Sequence, residues 1–317
     1  MLIQNASNDI LGITNSKEEE KNLQNFSNVG IENRHSSPNI YNDALINIQN
    51  PLLDDNNSEL SFSQISTDDQ IHLDLNNRSE VPLSVLNDLK RSNFDRLIIG
   101  HLNVNSLRNK FEALKNVVTN KVDILLVSET KLDETFPTNQ FFIEGYSQPF
   151  RLDKNALSGG IMIYIRNDIP CKILNKHSLP NDIEGLFIEI TLRKRKWILF
   201  GGYNPLKVRI SYFLEHVGKS LDKYLGDYDN VLLLGDFNSE VVEKSMKEFC
   251  GIYNLQNLIK EPTCYKNINN PSSIDVILTN RCMSFGKSQA IETGISDFHK
   301  MTVTVLKTFY QKKSQLL

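Results

Sequence analysis

Cysteine is scarce in this sequence, and the absence of short cysteine pairs excludes the most common zinc sites. The 317-residue chain has 4 cysteines and no CxxC pair, whereas structural zinc sites typically bring two cysteines within a few residues of each other. A secretory signal, with a basic segment followed by an apolar run, is also missing at the N-terminus. We therefore expect free thiols and a nuclear or cytoplasmic protein that is not secreted.

Long hydrophobic runs and the signatures of several enzyme classes are missing as well. No stretch approaches the roughly 18 apolar residues that span a membrane, so no membrane contact is expected. The chain has no P-loop, GxGxxG, GxSxG or HExxH segment. These absences remove the usual sequence signals of P-loop NTPases, dinucleotide-dependent enzymes, α/β-hydrolases and zinc peptidases, and no small-molecule cofactor is expected.

Charge is distributed unevenly along the chain. Residues 1–90 contain 5 Lys/Arg and 14 Asp/Glu, whereas residues 91–317 contain 30 Lys/Arg and 24 Asp/Glu. The first segment is rich in Asn, Ser and Asp and buries too little apolar surface to offset the entropy of ordering. We expect a disordered acidic head over 1–90, with a short helix at 81–89, and one folded domain over 91–317. The basic domain suits a polyanionic partner, although ordinary surface charge explains it equally well.

Apolar runs and helical spacing begin near residue 97 and continue to the C-terminal region. Eight apolar runs predict strands, at 97–100, 123–128, 160–165, 185–191, 197–203, 230–235, 274–278 and 301–306. Three amphipathic stretches predict helices, at 106–118, 208–225 and 240–253. Strands and helices interleave without strict alternation, so we expect an α/β fold with sheet packed on sheet and helices outside.

Polar side chains cluster at the ends of the predicted strands. They are Asn103, Asn105, Glu129, Tyr203, Asp236, Asn238, Asp275, Asp297 and His299. Strand ends meet at one rim of an α/β protein, where binding sites form. Each residue alone also has a structural reading as a cap or turn residue, and the GDFN segment suits a helix N-cap. Asp275 is harder to explain in this way, because a buried carboxylate needs a partner.

These side chains together fit the hydrolysis of a phosphodiester. The reaction needs a cation, a base for water and donors for the charge on phosphorus. Magnesium prefers one or two carboxylates plus waters, so Glu129 is the predicted ligand, with Asp297 and Asn105 beside it. Asp236 and Asn238 lie two residues apart and point to the same side. Asp236 can therefore take a proton from water while Asn238 holds the phosphate.

Seven segments, taken in order, resemble the endonuclease/exonuclease/phosphatase superfamily. They are LNVNSLRNK, ILLVSETKL, GGIMIYIR, ILFGGYNP, LLLGDFNS, SSIDVILTN and GISDFHKM. The resemblance is closest to the apurinic/apyrimidinic-type endonuclease domain of non-LTR retrotransposon (LINE) polyproteins, which nicks target DNA. It implies a four-layer α/β sandwich of two packed mixed β-sheets flanked by helices. It also implies dependence on Mg2+, with Mn2+ as a substitute, and a 3′-hydroxyl product that primes reverse transcription.

The resemblance also implies a role for each residue of the set. Asn103 matches the family asparagine beside the attacking water, and Tyr203 matches the tyrosine on the phosphate side. Asp275 matches the carboxylate that orients the catalytic histidine. The remaining matches are Glu129 as the principal metal ligand, Asn105 and Asp297 near the metal, Asp236 as the base and Asn238 at the phosphate.

Two positions depart from the family pattern. Leu206 stands where an asparagine often occurs, and Phe298 separates Asp297 from His299, which adjoin in the family. A shift of one residue turns a strand side chain to the opposite face. We therefore expect Phe298 in the apolar layer, and His299 to reach Asp275 through a bulge at the strand start.

The favoured function is an active DNA-nicking endonuclease. One alternative is a catalytically impaired relative that binds nucleic acid or a protein, and another is the same chemistry on a phosphoinositide or other phosphodiester.

Overall fold

The computed structural model describes residues 84–174 and 179–310. The first 83 residues of the predicted acidic head lie outside the described residues. The described part contains four α-helices: α1 at 84–92, α2 (Phe111–Val118), α3 (Ile210–Asp222) and α4 (Lys244–Ile252). Short 3-10 helices occupy Thr138–Phe141 and Cys282–Ser284. Within these residues no helix combines the length and apolarity needed to cross a bilayer.

Twelve strands in the described residues form two six-stranded sheets. In chain order they are β1 (Arg96–Asn103), β2 (Ile124–Ser128), β3 (Phe150–Leu152), β4 (Ile161–Ile165), β5 (Cys171–Ile173), β6 (Glu184–Leu192), β7 (Arg195–Tyr203), β8 (Asn230–Asp236), β9 (Gln256–Asn257), β10 (Asp275–Thr279), β11 (Phe285–Ile291) and β12 (Met301–Phe309). The first sheet has the order β11-β12-β1-β2-β4-β3, and the second has the order β5-β6-β7-β8-β10-β9.

Each sheet is built around one parallel pair of central strands. β1 and β2 are parallel in the first sheet, and β7 and β8 are parallel in the second, while the remaining neighbours are antiparallel. The carboxyl ends of β1 and β8 therefore lie beside the amino ends of their antiparallel neighbours β12 and β10. Carboxyl ends of some strands and amino ends of others therefore lie together at one rim of the sheets.

Hydrophobic side chains fill three layers between four layers of secondary structure. The middle layer joins the two sheets, with side chains such as Leu97, Ile99, Ile124, Leu199, Leu232 and Ile277. One outer layer packs α1 and α2 against the first sheet, with Leu86, Leu114 and Leu102 among its members. The other packs α3 and α4 against the second sheet, with Phe213, Met246 and Phe200. The predicted α/β sandwich of two packed mixed sheets is confirmed.

All eight predicted strands are present, with ends that differ by a few residues. The four strands that we did not predict, β3, β5, β9 and β11, are the outer strands of the two sheets. The three predicted helices are also present, but α2 begins at Phe111 rather than at residue 106. Asn105 and Ser106 have φ values of 46° and 85°, which exclude a helix start at residue 106.

The short helix expected at 81–89 is present as α1 at 84–92, inside the region predicted as the disordered head, and residues 81–83 lie outside the described residues. Leu86 and Leu89 are 1% and 3% exposed in the layer on the first sheet, whereas Val85 is 37% exposed. The i, i+3 spacing of the two leucines places both on one helix face. Residues 84–90 are thus part of the folded unit, because this apolar face is covered by the sheet.

We expect Leu86→Ala to lower the free energy of unfolding by about 2–3 kcal/mol, since it leaves a cavity in the layer beneath α1. The matched control is Val85→Ala on the exposed side of the same helix, with an expected loss below about 1 kcal/mol. Urea unfolding of the full chain measures both. Equal midpoints for the two variants would show that α1 contributes nothing to the core.

Candidate active site

The predicted site residues come from strand ends of both sheets. Asn103 ends β1 and Glu129 follows β2 on the first sheet. Tyr203 ends β7 and Asp236 ends β8 on the second sheet. Asp275 starts β10 and lies opposite Asp236 in the antiparallel register. The fold therefore brings together residues that are far apart in the sequence.

The Asn103 amide connects the two sheets at this rim. Its Nδ2 donates to Glu129 Oε1 at 2.8 Å and to Asp236 Oδ2 at 2.9 Å. The Tyr203 hydroxyl donates to the same Glu129 Oε1 at 3.2 Å. Asn103 is fully buried and Asp236 is 1% exposed, so the hydrogen bond between them is shielded from water, whereas the Glu129 side chain is 21% exposed. These hydrogen bonds hold the two carboxylates in a fixed relative position.

The GDFN segment forms a tight turn that presents Asp236. Gly235 has a φ of 154°, and a Cβ there would lie 1.8 Å from the Gly202 carbonyl oxygen, so glycine is required. The Asn238 backbone N–H donates to Asp236 Oδ1 at 2.9 Å, and its Nδ2 donates to the Asn204 carbonyl at 2.8 Å. Helix α4 starts six residues later, at Lys244, so the segment does not cap a helix.

Asp275 has the partner that its burial demands. His299 Nδ1 lies 3.0 Å from Asp275 Oδ2, and the Thr263 hydroxyl donates to the same oxygen at 2.7 Å. Asp275 is 1% exposed and lies next to Asp236 across the strand pair. The expected approach of His299 to Asp275 is therefore present, and the histidine is on the same rim as Asp236.

An isolated bridge before β12, rather than the expected bulge, accommodates the extra residue in front of His299. Strand β12 begins only at Met301, and residues 298–300 instead pair with residues 263–265 through a short antiparallel bridge. Phe298 is 45% exposed, so the expectation that it joins the apolar layer was wrong. The bridge fixes the backbone of His299 outside the regular alternation of β12, which allows its side chain to face Asp275.

Burial and charge set the protonation of the buried groups. Burial, together with the neighbouring Asp275, raises the pKa of Asp236 to about 7. Burial opposes charge on His299, but its hydrogen bonds to Asp275 and Cys264 outweigh this and raise its pKa to about 11. Burial lowers the pKa of His101 to about 4. At neutral pH His299 is therefore cationic, His101 is neutral and Asp236 is close to its midpoint.

His101 belongs to the site, although the sequence reasoning missed it. The side chain is fully buried, with Nε2 2.9 Å from Ser128 Oγ and Nδ1 3.5 Å from Asp275 Oδ1. A histidine inside the apolar run of β1 was the available signal. It lies two residues before Asn103, and strand alternation places both side chains on one face.

A positive charge already lies among the predicted metal ligands. Lys131 Nζ donates to Asn105 Oδ1 and lies 3.5 Å from Glu129 Oε2. Asn105 Nδ2 donates to Asp297 Oδ2 at 3.1 Å, and Lys110 Nζ lies 3.3 Å from the same oxygen. Carboxylate and amide oxygens are the donors that Mg2+ prefers. The oxygen atoms of these residues therefore fit a hard divalent cation, which would have to displace the Lys131 ammonium group from Glu129 and Asn105.

A second set of ligand atoms is less suited to a cation. Among the described residues, ligand atoms of Asp236, Asp275 and His299 lie within 4.8 Å of one another. The raised pKa of His299 keeps the imidazole protonated at neutral pH. A protonated histidine repels a cation and offers it no lone pair, so the Glu129 set fits better.

Comparison with models of protein families identifies the family of this chain. A model of the Endonuclease/Exonuclease/phosphatase family matches residues 100–297. The chain belongs to this family. The match contains Asn103, Glu129, Asp236 and Asp275, and it ends just before the segment in which Phe298 departs from the pattern. No curated protein matches the chain.

Solved structures share the endonuclease/exonuclease/phosphatase fold at low sequence identity. The endonuclease domain of TRAS1, a telomere-specific non-LTR retrotransposon, has 16% identity and a TM-score of 0.53, covering 67% of this chain and 98% of that domain. AP endonuclease LMAP from Leishmania major has 14% identity and a TM-score of 0.54, covering 68% and 88%. The 3′-5′ exonuclease NExo from Neisseria meningitidis has 17% identity and a TM-score of 0.51, covering 68% and 100%. These similarities establish the fold.

The raised pKa of Asp236 predicts a specific dependence of stability on pH. The folded chain holds this proton up to about pH 7, whereas an unfolded aspartate releases it near pH 4. The contribution of Asp236 to stability should therefore fall as pH rises from about 4 to 7, whereas the contribution of His101, whose pKa is lowered to about 4, should rise over the same range. In Asp236→Asn this fall should be absent, because the titrating carboxyl is gone.

Urea unfolding of the metal-free protein at pH 5 and pH 7.5 measures this difference. Asp88→Asn is the control, since the Asp88 side chain is 63% exposed. The stability that the raised pKa of His299 contributes is lost between about pH 6.5 and 11. It should be smaller in Asp236→Asn, because the Asp236 carboxylate helps to raise the pKa of His299. Identical pH dependence in wild type and Asp236→Asn would show that Asp236 is ionised in the folded protein.

Proposed function

We propose that the protein is a Mg2+-dependent phosphodiesterase that nicks DNA and derives from a non-LTR retrotransposon. Membership of the endonuclease/exonuclease/phosphatase family indicates a phosphodiesterase-type hydrolase. The observation that carries the finer proposal is the joined set of Glu129, Asn103 and Asp236 beside the Asp275–His299 pair. The order of the LINE-like segments and the similarity to the TRAS1 endonuclease domain favour a retrotransposon origin.

Asp236 is the group that takes a proton from the attacking water. A general base works best when its pKa is near the working pH, and burial raises the pKa of Asp236 to about 7. The Asn103 amide and the Asn238 backbone N–H each donate to one oxygen of this carboxylate. Both oxygens are thereby oriented, while a lone pair on each remains available for a water proton.

His299 supplies positive charge near the reacting phosphate. Its Nδ1 is held by Asp275, and its Nε2 lies 3.6 Å from Cys264 Sγ. A thiol is a weak hydrogen-bond partner, so a phosphate oxygen can replace it at Nε2. The Tyr203 hydroxyl and the Asn238 amide donate within the protein, and they contact a phosphate by exchanging these partners.

Glu129, with Asn105 and Asp297, would hold the divalent cation. When bound, Mg2+ neutralises charge on a phosphate oxygen and helps to orient it. Lys131 and Lys110 surround these ligands, and Arg108 Nε donates to the Lys131 carbonyl at 3.0 Å. Basic side chains around an acidic site attract the phosphates of DNA, independently of sequence. We propose a nuclear or cytoplasmic location, and the nuclear alternative is inferred from the DNA substrate alone.

A binding-only relative is the second candidate function, and Leu206 favours it. This side chain is 77% exposed and offers no donor where the family often has an asparagine. The two candidates differ in one outcome, because a binding-only protein holds DNA without cutting it.

We expect Glu129→Gln and Asp236→Asn each to reduce plasmid nicking at least about 100-fold, because each removes a charge that acts on the reacting phosphate or water. Glu248→Gln is the control, since that side chain is 62% exposed on α4. Conversion of supercoiled to open-circular plasmid measures the rate. Nicking that continues in excess EDTA would contradict the metal-dependent mechanism, and intact binding without nicking would favour the binding-only candidate.

We also expect His299→Ala to reduce nicking about 100-fold or more, because a positioned acid or cation contributes this much. Adding Phe298→His to His299→Ala should not restore nicking, since the side chain at 298 is exposed and the bridge presents only position 299 to Asp275. His216→Ala, on α3, is the matched control. Recovery in the double variant would mean that the segment can shift to the family register.

A further inference from the structure

The short bridge before β12 carries an exposed aromatic side chain at the edge of the site. Phe298 is 45% exposed and lies between Asp297 and His299 in the chain. Its carbonyl accepts a hydrogen bond from the Tyr265 N–H at 2.8 Å, so its backbone is fixed. The extra residue of this segment is thus neither buried nor loosely held, and its ring faces solvent beside two site residues.

A second aromatic ring and a cation lie in the same short bridge. Lys300 Nζ donates to the Tyr265 hydroxyl at 3.0 Å and lies 4.2 Å from the centre of the Tyr265 ring. The Lys300 backbone N–H donates to the Thr263 carbonyl at 2.8 Å. The bridge therefore holds Phe298, Tyr265 and an ammonium group together. An aromatic ring with an adjacent cation is the combination that proteins use to bind single-stranded nucleic acid.

We propose that Phe298 stacks on an unpaired nucleobase next to the cleaved phosphate, with Lys300 on the sugar-phosphate backbone. This inference rests on the proposed function and adds a substrate preference to it. The bridge is extended, so the Phe298 and Lys300 side chains lie on the face opposite to that of His299. Consecutive Cα atoms are about 3.8 Å apart, so a base on Phe298 belongs to a nucleotide that neighbours the phosphate at His299 across the edge of the bridge. The base must be unpaired or unstacked, because both of its faces are covered inside a regular duplex.

The test measures DNA binding without cleavage. Fluorescence anisotropy in EDTA gives the affinity of the full chain for a fully paired duplex and for the same duplex with one unpaired nucleotide. Wild type should prefer the second duplex, and Phe298→Ala should lose this preference by about tenfold, since stacking contributes about 1–3 kcal/mol per base. Phe298→Trp should keep the preference, and Phe298→Leu, apolar but without a ring, should lose most of it.

Phe94→Ala is the matched control, because Phe94 is 78% exposed just before the opposite end of β1. Its binding to both duplexes should equal that of wild type. Equal behaviour of Phe298→Ala and Phe94→Ala, equal behaviour of Phe298→Leu and Phe298→Trp, or no preference in wild type would each overturn the inference. In the first case the exposed ring would serve another partner, such as a protein.

Plasmid nicking in Mg2+ separates the two proposals. Nicking by wild type without any duplex preference would leave the proposed function standing and remove the inference. If the protein prefers the duplex with an unpaired nucleotide through Phe298 but never nicks DNA, the stacking inference would stand and the proposed nicking function would fall. Thermal unfolding of Phe298→Ala should match that of wild type, because the side chain is exposed, so a loss of binding cannot be assigned to unfolding.

Discussion

The geometry of the site depends on the Asn103 side-chain amide. Its two hydrogens bond to Glu129 on the first sheet and to Asp236 on the second. A buried donor left without an acceptor costs about 1–3 kcal/mol, so the amide keeps both partners only when the sheets pack at the observed position. The interleaved side chains of the middle layer set that position. The relative position of the two sheets therefore determines both the packing of the middle layer and the geometry of the site.

The carboxylates of Asp236 and Asp275 are buried side by side, and the repulsion between their charges affects both the stability of the fold and the chemistry of the site. Two buried carboxylates side by side repel each other, and the folded protein avoids a full double charge by raising the pKa of Asp236. His299 balances the charge on Asp275 by remaining protonated. Burying Asp236, Asp275 and His299 lowers the stability of the fold. The same burial gives Asp236 a pKa near neutral and keeps a cationic His299 beside it. Such trade-offs between stability and activity are typical of functional sites.

The sequence predicted the central strands and most of the rim, and the misses have physical causes. Central strands are buried on both faces and appear as apolar runs, whereas β3, β5 and β9 are too short for periodicity and β11 has a polar interior. The carboxylates and amides of the site could be predicted from their positions at the ends of the apolar runs, because the parallel central strands end at the same rim. Strand alternation failed at Phe298, since a bridge to another loop replaces β12 there. His101 stands within the apolar strand β1, where a histidine is usually a buried core residue, so the sequence pattern did not distinguish it as a site residue.

The pairing of β1 with β12 also determines when the site can be assembled. These strands are the first and the last of the described part, and they are neighbours inside the first sheet. Contacts between segments so distant in sequence form late and slowly. Until β12 has been synthesised, β1 has an open edge on one side, and the segment carrying His299 has not docked. The step that closes the sheet thus also delivers the histidine, so partly folded chains lack a complete site.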